Sequence, residues 1–221
     1  LPPFASQTFE QWFKARGGSP ETAETRGRVV LLADTFTNYN HPNIGRAATR
    51  VLEALGYQVI VPKTVCCGRP MLSKGMLDKA RRNAAFNVEA VAAYVRDGAR
   101  VVGLEPSCIL SYRDDYVDLL DEDTDVAEVA KSSMLIGDFF VEAQEDPDRR
   151  IELKPSPGKR LYHGHCHQKA LVGTANSMQA LRSIPGCEAV EITAGCCGMA
   201  GSFGLEREHY DVSLQIGEQA L

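Results

Sequence analysis

Two Cys-Cys-Gly sequences, each set in the same order of elements, limit the fold more than any other feature of the chain. One begins at Cys66 and the other at Cys196. Each follows a β-branched, apolar segment typical of a buried strand, and each is preceded further back by a helical pattern and another strand pattern. A helical pattern also follows each of them. Strands that alternate with helices in this way predict parallel sheets with helices on both faces.

The repeated order indicates an internal duplication, so we predict an α/β fold of two pseudo-repeated Rossmann-like halves, with parallel sheets flanked by helices. We place the first half at residues 28–150 and the second at residues 151–221. Within the first half, residues 125–143 have apolar positions that predict a helix. Residues 1–27 carry one short helical pattern and a polar break, which predicts an N-terminal lead-in rather than core.

The composition excludes several classes of protein. Hydrophobic residues make up 44% of the 221 residues, which suffices for a well-buried core. The formal net charge of −5 argues against a basic nucleic-acid-binding surface. The longest apolar runs are far shorter than the roughly 20 residues of a membrane-spanning helix, and no signal peptide is visible. We therefore predict no nucleic-acid partner and no transmembrane segment.

The seven cysteines indicate a metal or redox role rather than a disulfide framework. Disulfide scaffolds are typical of much shorter secreted chains, and no C-x2-C zinc pair is present. Adjacent cysteines rarely bridge each other, because the small ring strains the peptide bond between them. They can instead donate two thiolates to one metal centre or to two neighbouring irons. A reducing, cytoplasmic location fits this usage best.

The order of strands and loops predicts where the cysteines meet. In parallel α/β sheets the functional loops follow the carboxyl ends of the strands. The cysteines expected in such loops are the candidate ligands of a metal or cofactor: Cys66, Cys67, Cys108, Cys166, Cys196 and Cys197. Cys187 begins a strand at the opposite end, where a lone cysteine usually serves as a small hydrophobic residue.

Other potential ligands accompany these cysteines. His163, His165 and His167 alternate around Cys166, so two of them can share one side of an extended segment, and Glu105 lies close to Cys108 in sequence. Thiolate and imidazole are the soft and borderline ligands that iron, zinc and copper prefer. An iron–sulfur cluster needs several thiolates from separate loops, and glycines beside them allow close backbone N–H donors. Two alternatives stay open, namely a structural zinc-binding interaction module and thiol redox chemistry at a vicinal pair.

Five motifs in order carry a resemblance to a known family. They are DTFTNY, CCGRPMLSKGMLDKA, GLEPSC, HGHCHQKA and CCGMAGSFG, within residues 28–221. These motifs resemble the cysteine-rich CCG domain family, and more narrowly the C-terminal iron–sulfur region of FAD-linked oxidases of D-2-hydroxy acids such as D-lactate or D-2-hydroxyglutarate. The resemblance implies an iron–sulfur cluster, of the non-cubane four-iron type, in an electron-transfer domain.

The same resemblance implies partners for the chain. FAD is expected on another domain of the same polypeptide, with a downstream electron acceptor, so that this domain alone does not oxidise substrate. The chain begins with Leu1 and ends within a helical pattern at Leu221, which predicts an excised C-terminal domain of a larger enzyme. That full-length enzyme is expected in the cytoplasm or at the periphery of the inner membrane.

The chain departs from the family pattern in its first half. The leading cysteine position falls near Asp34, and Glu105 stands where the first cysteine of a CxxC would be. In the second half the remaining cysteine of the pattern would lie beyond Leu221. We therefore predict one centre between the two Cys-Cys-Gly sequences, near a pseudo-twofold axis. Two separate half-sites would replace it if the two pairs lie far apart.

Overall fold

A computed structural model describes residues 3–22, 25–120, 124–147 and 150–219. Its first sheet has the strands β1 (Gly27–Leu31), β2 (Tyr57–Ile60), β3 (Arg100–Gly103) and β4 (Ser133–Leu135). Their order is β2-β1-β3-β4, and every neighbouring pair is parallel. The last three residues of β1 are fully buried, as expected for a central strand covered on both faces.

Nine helices accompany the first sheet in the described part of the chain. They are α1 (Phe9–Ala15), α2 (Thr35–Tyr39), α3 (Pro42–Ala54), α4 (Arg69–Ser73), α5 (Leu77–Arg96), α6 (Pro106–Arg113), α7 (Asp115–Leu119), α8 (Thr124–Ser132) and α9 (Ile136–Ala143). On α5 the buried positions include Ala80, Ala84, Val88, Val91 and Val95, which follow the helical repeat along one stripe. This stripe packs with Val30 and Val101 on one face of the sheet, while Val29 and Val102 pack with α3 and α9 on the other.

The N-terminal segment contributes to this core, which corrects the prediction that it is only a lead-in. Phe9 on α1 is 0% exposed and packs in the same cluster as Leu52 and Val59. Gly45 permits the approach of α3, because a Cβ atom there would lie 2.6 Å from the Phe9 ring. A single buried aromatic residue in a short helical pattern leaves no periodic signal in the sequence, so its burial is decided by tertiary packing.

The segment 125–143, predicted as one helix, contains a strand. Helix α8 ends at Ser132, the three residues of β4 pair with β3, and α9 begins at Ile136. The apolar residues of β4 continue the hydrophobic pattern of the helices on both sides. A strand of three residues is too short to display its own period of two, so the prediction of a continuous helix was wrong.

The second sheet contains two parallel strands, β5 (Gly158–Tyr162) and β6 (Cys187–Glu191). Between these strands in the chain lie helices α10 (Cys166–Leu171) and α11 (Ala175–Arg182). After β6 come 3-10 turns at Phe203–Leu205 and Arg207–His209, and then helix α12 (Tyr210–Glu218). Strand β5 is largely exposed, with 64% of Leu161 accessible to solvent.

The predicted fold class is confirmed, since the chain is α/β with parallel sheets flanked by helices. The equivalence of two halves stays a prediction, because the two sheets differ in size. Among the described residues, no helix is both long and apolar enough to cross a membrane.

Candidate functional site

The predicted ligands lie at the carboxyl ends of the strands. The first Cys-Cys-Gly loop, residues 61–68, follows β2, and the second, residues 192–202, follows β6. Cys108 follows β3 and Cys166 follows β5, each in the first turn of a helix rather than in the predicted loop. Cys187 begins β6 at the opposite end. The topology therefore places six of the seven cysteines on the strand ends that commonly carry function in α/β proteins.

The first Cys-Cys-Gly loop is held by buried side chains. Cys67 is 6% exposed, and its thiol donates a hydrogen bond to the Sγ atom of Cys108 over 3.3 Å. The Tyr116 hydroxyl donates to the Cys67 carbonyl oxygen over 3.0 Å, and Asn87 in turn donates to that hydroxyl over 2.9 Å. Asn83 donates to the Cys66 carbonyl oxygen. Helices α5 and α7 thereby fix the backbone that carries both thiols.

Burial and mutual contact keep the first-half thiols protonated. The pKa of Cys67 is raised to about 12, chiefly because its thiol donates to Cys108. The pKa of Cys66 is raised by its hydrogen bond to Cys67 and by burial. At Cys108 the hydrogen bond from Cys67 lowers the pKa, but burial and the negative charges of Glu105 and Asp34 outweigh it and raise the pKa. A metal that binds these sulfurs must therefore displace protons.

Backbone N–H groups oppose this effect in the first loop. The backbone N–H of Gly68 donates a hydrogen bond to the Cys66 sulfur, and the backbone N–H of Arg69 donates one to the Cys67 sulfur. Each hydrogen bond lowers the pKa of the thiol that accepts it. Gly68 has a φ of +91°, the left-handed conformation that turns the chain around the sulfurs. The loop is therefore built to stabilise thiolates once their protons leave.

The two carboxylates at the positions of missing family cysteines both cap helices. Glu105 Oε2 accepts hydrogen bonds of 2.6 Å from the Cys108 N–H and the Ser107 hydroxyl at the start of α6. Asp34 accepts from the N–H and the hydroxyl of Thr37 at the start of α2, and burial raises its pKa. Glu105 thus keeps only Oε1 outside its capping role, which limits it as a metal ligand.

The histidine loop of the second sheet reaches the first. His165 is the N-cap residue of α10, and its Nδ1 accepts from the His167 N–H over 3.2 Å. Its Nε2 lies 3.7 Å from Glu105 Oε1, and its Nδ1 lies 3.9 Å from the exposed Cys166 sulfur. Burial lowers the pKa of both His165 and His167, which favours neutral imidazoles. His163 is half-buried beside them. Glu105 and His165 thus join the two sheets at this edge.

The second Cys-Cys-Gly loop repeats the local geometry of the first with less cover. The Gly198 N–H donates to the Cys196 sulfur over 3.3 Å, as the Gly68 N–H does at Cys66. Gly198 has a φ of +80°, and its carbonyl oxygen accepts from the Ser213 hydroxyl of α12 over 2.8 Å. Cys196 and Cys197 are both exposed.

The two loops approach each other through helix α4. Lys74, which ends α4, forms an ion pair with Glu206 just after the second loop. Gly201 packs against Ser73, whose Oγ would lie 3.4 Å from a Cβ added there. No three His, Cys, Asp or Glu side chains of the described residues are already arranged around one point as ligands of a metal ion. The single centre lined by all six cysteines therefore stays a prediction.

Arg69 is a site residue that the sequence reasoning missed. Its guanidinium pairs with Asp115 and lies 3.1 Å from the Ser111 hydroxyl, while its Nε is buried without a hydrogen-bond partner in the described structure. Its positive charge lowers the pKa of His165 and His167. Its position directly after the first Cys-Cys-Gly is the signal that could have found it. Tyr116 and Asn87 gave no such signal, since both lie within helical patterns.

Comparison with known families agrees with this arrangement of cysteines. The profile of the CCG cysteine-rich domain matches residues 35–112 and 161–221, which include both Cys-Cys-Gly loops. The chain belongs to the CCG cysteine-rich domain family. The unmatched residues between the two segments include β4 and α9.

Three relatives illustrate where such chains occur. One subunit of the anaerobic glycerol-3-phosphate dehydrogenase of Escherichia coli is 32% identical over 98% of this chain and 54% of the relative. D-2-hydroxyglutarate dehydrogenase of Pantoea ananatis is 29% identical over 86% of this chain and 18% of the relative. An uncharacterized iron–sulfur protein of Methanocaldococcus jannaschii is 28% identical over 86% of this chain and 36% of the relative. The chain thus spans about half the length of the first relative, and less of the other two.

Proposed function

We propose that this chain is an iron–sulfur electron-transfer domain of an FAD-linked oxidoreductase that oxidises a D-2-hydroxy acid. The observation that carries the proposal is the gathering of thiols and N–H donors from separate loops at one edge of the fold. Cys67 and Cys108 come from different strand ends yet lie in direct contact. The family match and the relative named as an iron–sulfur protein support the same chemistry.

The donor set of the first half fits a metal–thiolate centre in part. Two sulfurs on one tetrahedral metal with metal–sulfur bonds of about 2.3 Å lie about 3.8 Å apart. The Cys67 and Cys108 sulfurs, 3.3 Å apart, need only a small movement to reach that spacing. Cys66 adds a third thiol beside them, and the capping role of Glu105 leaves one carboxylate oxygen for a fourth contact.

The residues proposed to hold the cluster are the six cysteines at the strand ends: Cys66, Cys67, Cys108, Cys166, Cys196 and Cys197. When bound, an iron–sulfur cluster supplies one-electron transfer. The chain's own groups prepare for it, because the N–H groups of Gly68 and Gly198 point at cysteine sulfurs and favour their charged form. At the first loop, water has little access to Cys67, which is buried.

The partner and substrate follow from the relatives by analogy. We propose that FAD lies on another domain of the same polypeptide and that electrons leave this domain to a downstream acceptor. The relative named D-2-hydroxyglutarate dehydrogenase supports a D-2-hydroxy acid as the substrate. The glycerol-3-phosphate dehydrogenase subunit, at 32% identity, supports glycerol 3-phosphate as a second candidate. Both substrates present a secondary alcohol for oxidation.

The first test measures iron, zinc and acid-labile sulfide in the anaerobically purified protein, together with its visible spectrum. We expect iron with sulfide and a broad visible absorption band. Cys67→Ser and Cys197→Ser should each lower the iron content, because each removes a proposed ligand from one loop. Cys187→Ser is the matched control, since Cys187 lies at the opposite end of β6, and it should keep the wild-type content.

Three outcomes would contradict the proposed iron–sulfur centre, and a fourth would contradict only the proposed substrate. Zinc without sulfide would favour a structural zinc module, and an absence of both metals would favour thiol redox chemistry. An equal loss of iron in Cys187→Ser would show that the strand-end cysteines are no more important for iron binding than Cys187. In the holoenzyme, bleaching of the visible band by glycerol 3-phosphate but not by D-lactate or D-2-hydroxyglutarate would overturn only the proposed substrate.

A further inference from the structure

A cavity lies behind the candidate site, between the two sheets. Its volume is about 450 Å³, which falls within the range of roughly 300–1,000 Å³ that is typical of small-molecule sites. Helices α9 and α11 form two of its walls, and the starts of α6 and α10 form another. Pro106 and Gln168 line it, and each directly follows a residue of the candidate site, Glu105 and His167.

The walls of this cavity are apolar and uncharged. Leu104, Leu135, Phe140 and Leu181 are among the side chains that line it. No Asp, Glu, Lys, Arg or His is found among the described residues of its lining. Moving an ion into such surroundings without a partner charge is strongly unfavourable, because the ion loses its hydration and gains no compensating interaction. The cavity therefore suits a neutral molecule that is apolar over most of its surface.

One wall carries a short chain of polar side chains. Gln168 is 1% exposed, its Oε1 accepts from the Tyr162 hydroxyl over 2.7 Å, and its Nε2 donates to the Ser177 hydroxyl over 2.9 Å. All three residues line the cavity. The side-chain amide of glutamine can form four hydrogen bonds, and the described structure gives it two.

These groups keep hydrogen-bonding capacity that a ligand can use. In the described hydrogen bonds the Ser177 hydroxyl accepts but does not donate, and the Tyr162 oxygen donates but does not accept. A second amide hydrogen of Gln168 is also free to donate. With the remaining acceptor site on Gln168 Oε1, two donors and two acceptors on one wall can thus engage an oxygen that accepts, donates or does both, as a carbonyl or hydroxyl does.

The polar wall of the cavity is also sterically defined. Gly137 of α9 contacts α11 so closely that a Cβ atom there would lie 2.9 Å from Ser177 Oγ. This contact fixes the position of the serine hydroxyl between the two helices. A fixed polar group in an otherwise apolar cavity is the arrangement that orients small ligands.

We propose that this cavity binds a neutral, largely apolar small molecule that carries one hydroxyl or carbonyl oxygen, with that oxygen on Ser177 and Gln168. The proposal depends on the cavity and its polar wall, and it does not require a metal at the neighbouring cysteines. A molecule bound there lies directly behind Glu105 and His167, because Pro106 and Gln168 form the shared wall.

The test compares 2-naphthol with naphthalene by isothermal titration calorimetry, since the two probes differ only in the hydroxyl. We expect saturable binding of one 2-naphthol per chain, about tenfold tighter than naphthalene, as one good hydrogen bond in an apolar site predicts. Ser177→Ala should weaken 2-naphthol by about tenfold and leave naphthalene unchanged.

A pair of matched variants tests the location. Ala180→Leu on α11 places a larger side chain in the cavity, and we expect it to abolish binding of both probes. Ala175→Leu makes the same substitution at an exposed position of the same helix outside the cavity lining, and it should bind both like the wild type. Leucine favours helices nearly as well as alanine, so both variants should fold.

Several results would overturn the proposal. They are the absence of saturable binding, equal affinity for the two probes, or binding that survives Ala180→Leu. A loss of binding in Ala175→Leu would place the probe elsewhere and count against the cavity. If the circular dichroism spectrum of Ala180→Leu differs from that of the wild type, the proposal depends on Ser177→Ala alone. It then fails if that variant does not weaken 2-naphthol more than naphthalene.

Discussion

The two Cys-Cys-Gly loops share their local geometry but differ in how the rest of the molecule covers them. In each loop the glycine has a left-handed conformation, and its backbone N–H donates a hydrogen bond to the sulfur of the first cysteine. In the first loop Cys67 is buried under Tyr116, whereas Cys196 and Cys197 of the second loop are exposed. Three adjacent residues therefore determine the turn, while the helices packed on it determine how accessible its thiols are.

The largest expected difference is in thiol reactivity. In protein treated with a chelator, Cys67 should react with iodoacetamide about a hundredfold more slowly than a free cysteine, because the thiolate is the nucleophile and the pKa of Cys67 is raised to about 12. The exposed cysteines of the second loop should react far sooner. Peptide mass spectrometry over a time course measures both rates.

The rate at which Cys67 reacts should also change with pH in a defined direction. Because the pKa of Cys67 is raised, its reaction rate should keep rising with pH until the solution approaches a pH of about 12. In urea, where burial is lost, Cys67 and Cys197 should react at similar rates. Equal rates in the folded protein would show that the two loops do not differ in cover as the structure indicates.

The next difference is in the stability cost of replacing each loop glycine. In Gly198→Ala the added Cβ would lie 2.1 Å from the Ser213 carbonyl oxygen, in addition to the strain of a positive φ. We expect a loss of about 3 kcal/mol or more in the free energy of unfolding. In Gly68→Ala the nearest atom is 3.5 Å away, so only the backbone strain remains, about 1 kcal/mol.

A third glycine provides the control for this pair. Gly75 has a φ of +70° with no atom within 4 Å of an added Cβ, so Gly75→Ala should match Gly68→Ala. Urea denaturation followed by circular dichroism measures all three. Equal losses in Gly68→Ala and Gly198→Ala would mean that the contact with Ser213 relaxes easily and that backbone conformation alone requires the glycines.

Most of the strands and most long helices could be predicted because their periodicity is local. Helix α5 was predicted at about residues 76–97 and lies at Leu77–Arg96. Helix α6 shows what was missed, since Glu105 and Pro106 together form a helix start that places Cys108 in the first turn rather than in a loop. The three residues of β4 and the buried Phe9 depend on neighbours distant in sequence, which no local pattern reveals.

The site could be predicted only as far as topology determines it. The carboxyl ends of parallel strands share one edge, and this brought Cys67 and Cys108 together as expected. The contact between Glu105 and His165 depends instead on how the second sheet packs on the first. That packing includes the close contact of Gly137 with Ser177, and both residues lie outside the cysteine motifs and carry no functional signal in the sequence.

The smallest expected effect concerns the contact between the two regions. Lys74 at the end of α4 pairs with Glu206 after the second loop, and both side chains are partly exposed. Exposed ion pairs contribute little to global stability, so Lys74→Ala should leave the free energy of unfolding unchanged. It should, however, speed amide hydrogen exchange severalfold at residues 198–206, because it removes a link that holds this segment against α4.

Lys79→Ala, at an exposed position of α5, is the matched control and should leave that exchange unchanged. Exchange that stays at the wild-type rate in Lys74→Ala would show that the second loop is held by α12 alone, through Ser213, and the two loops would then be independent in their local motions as well as in their cover.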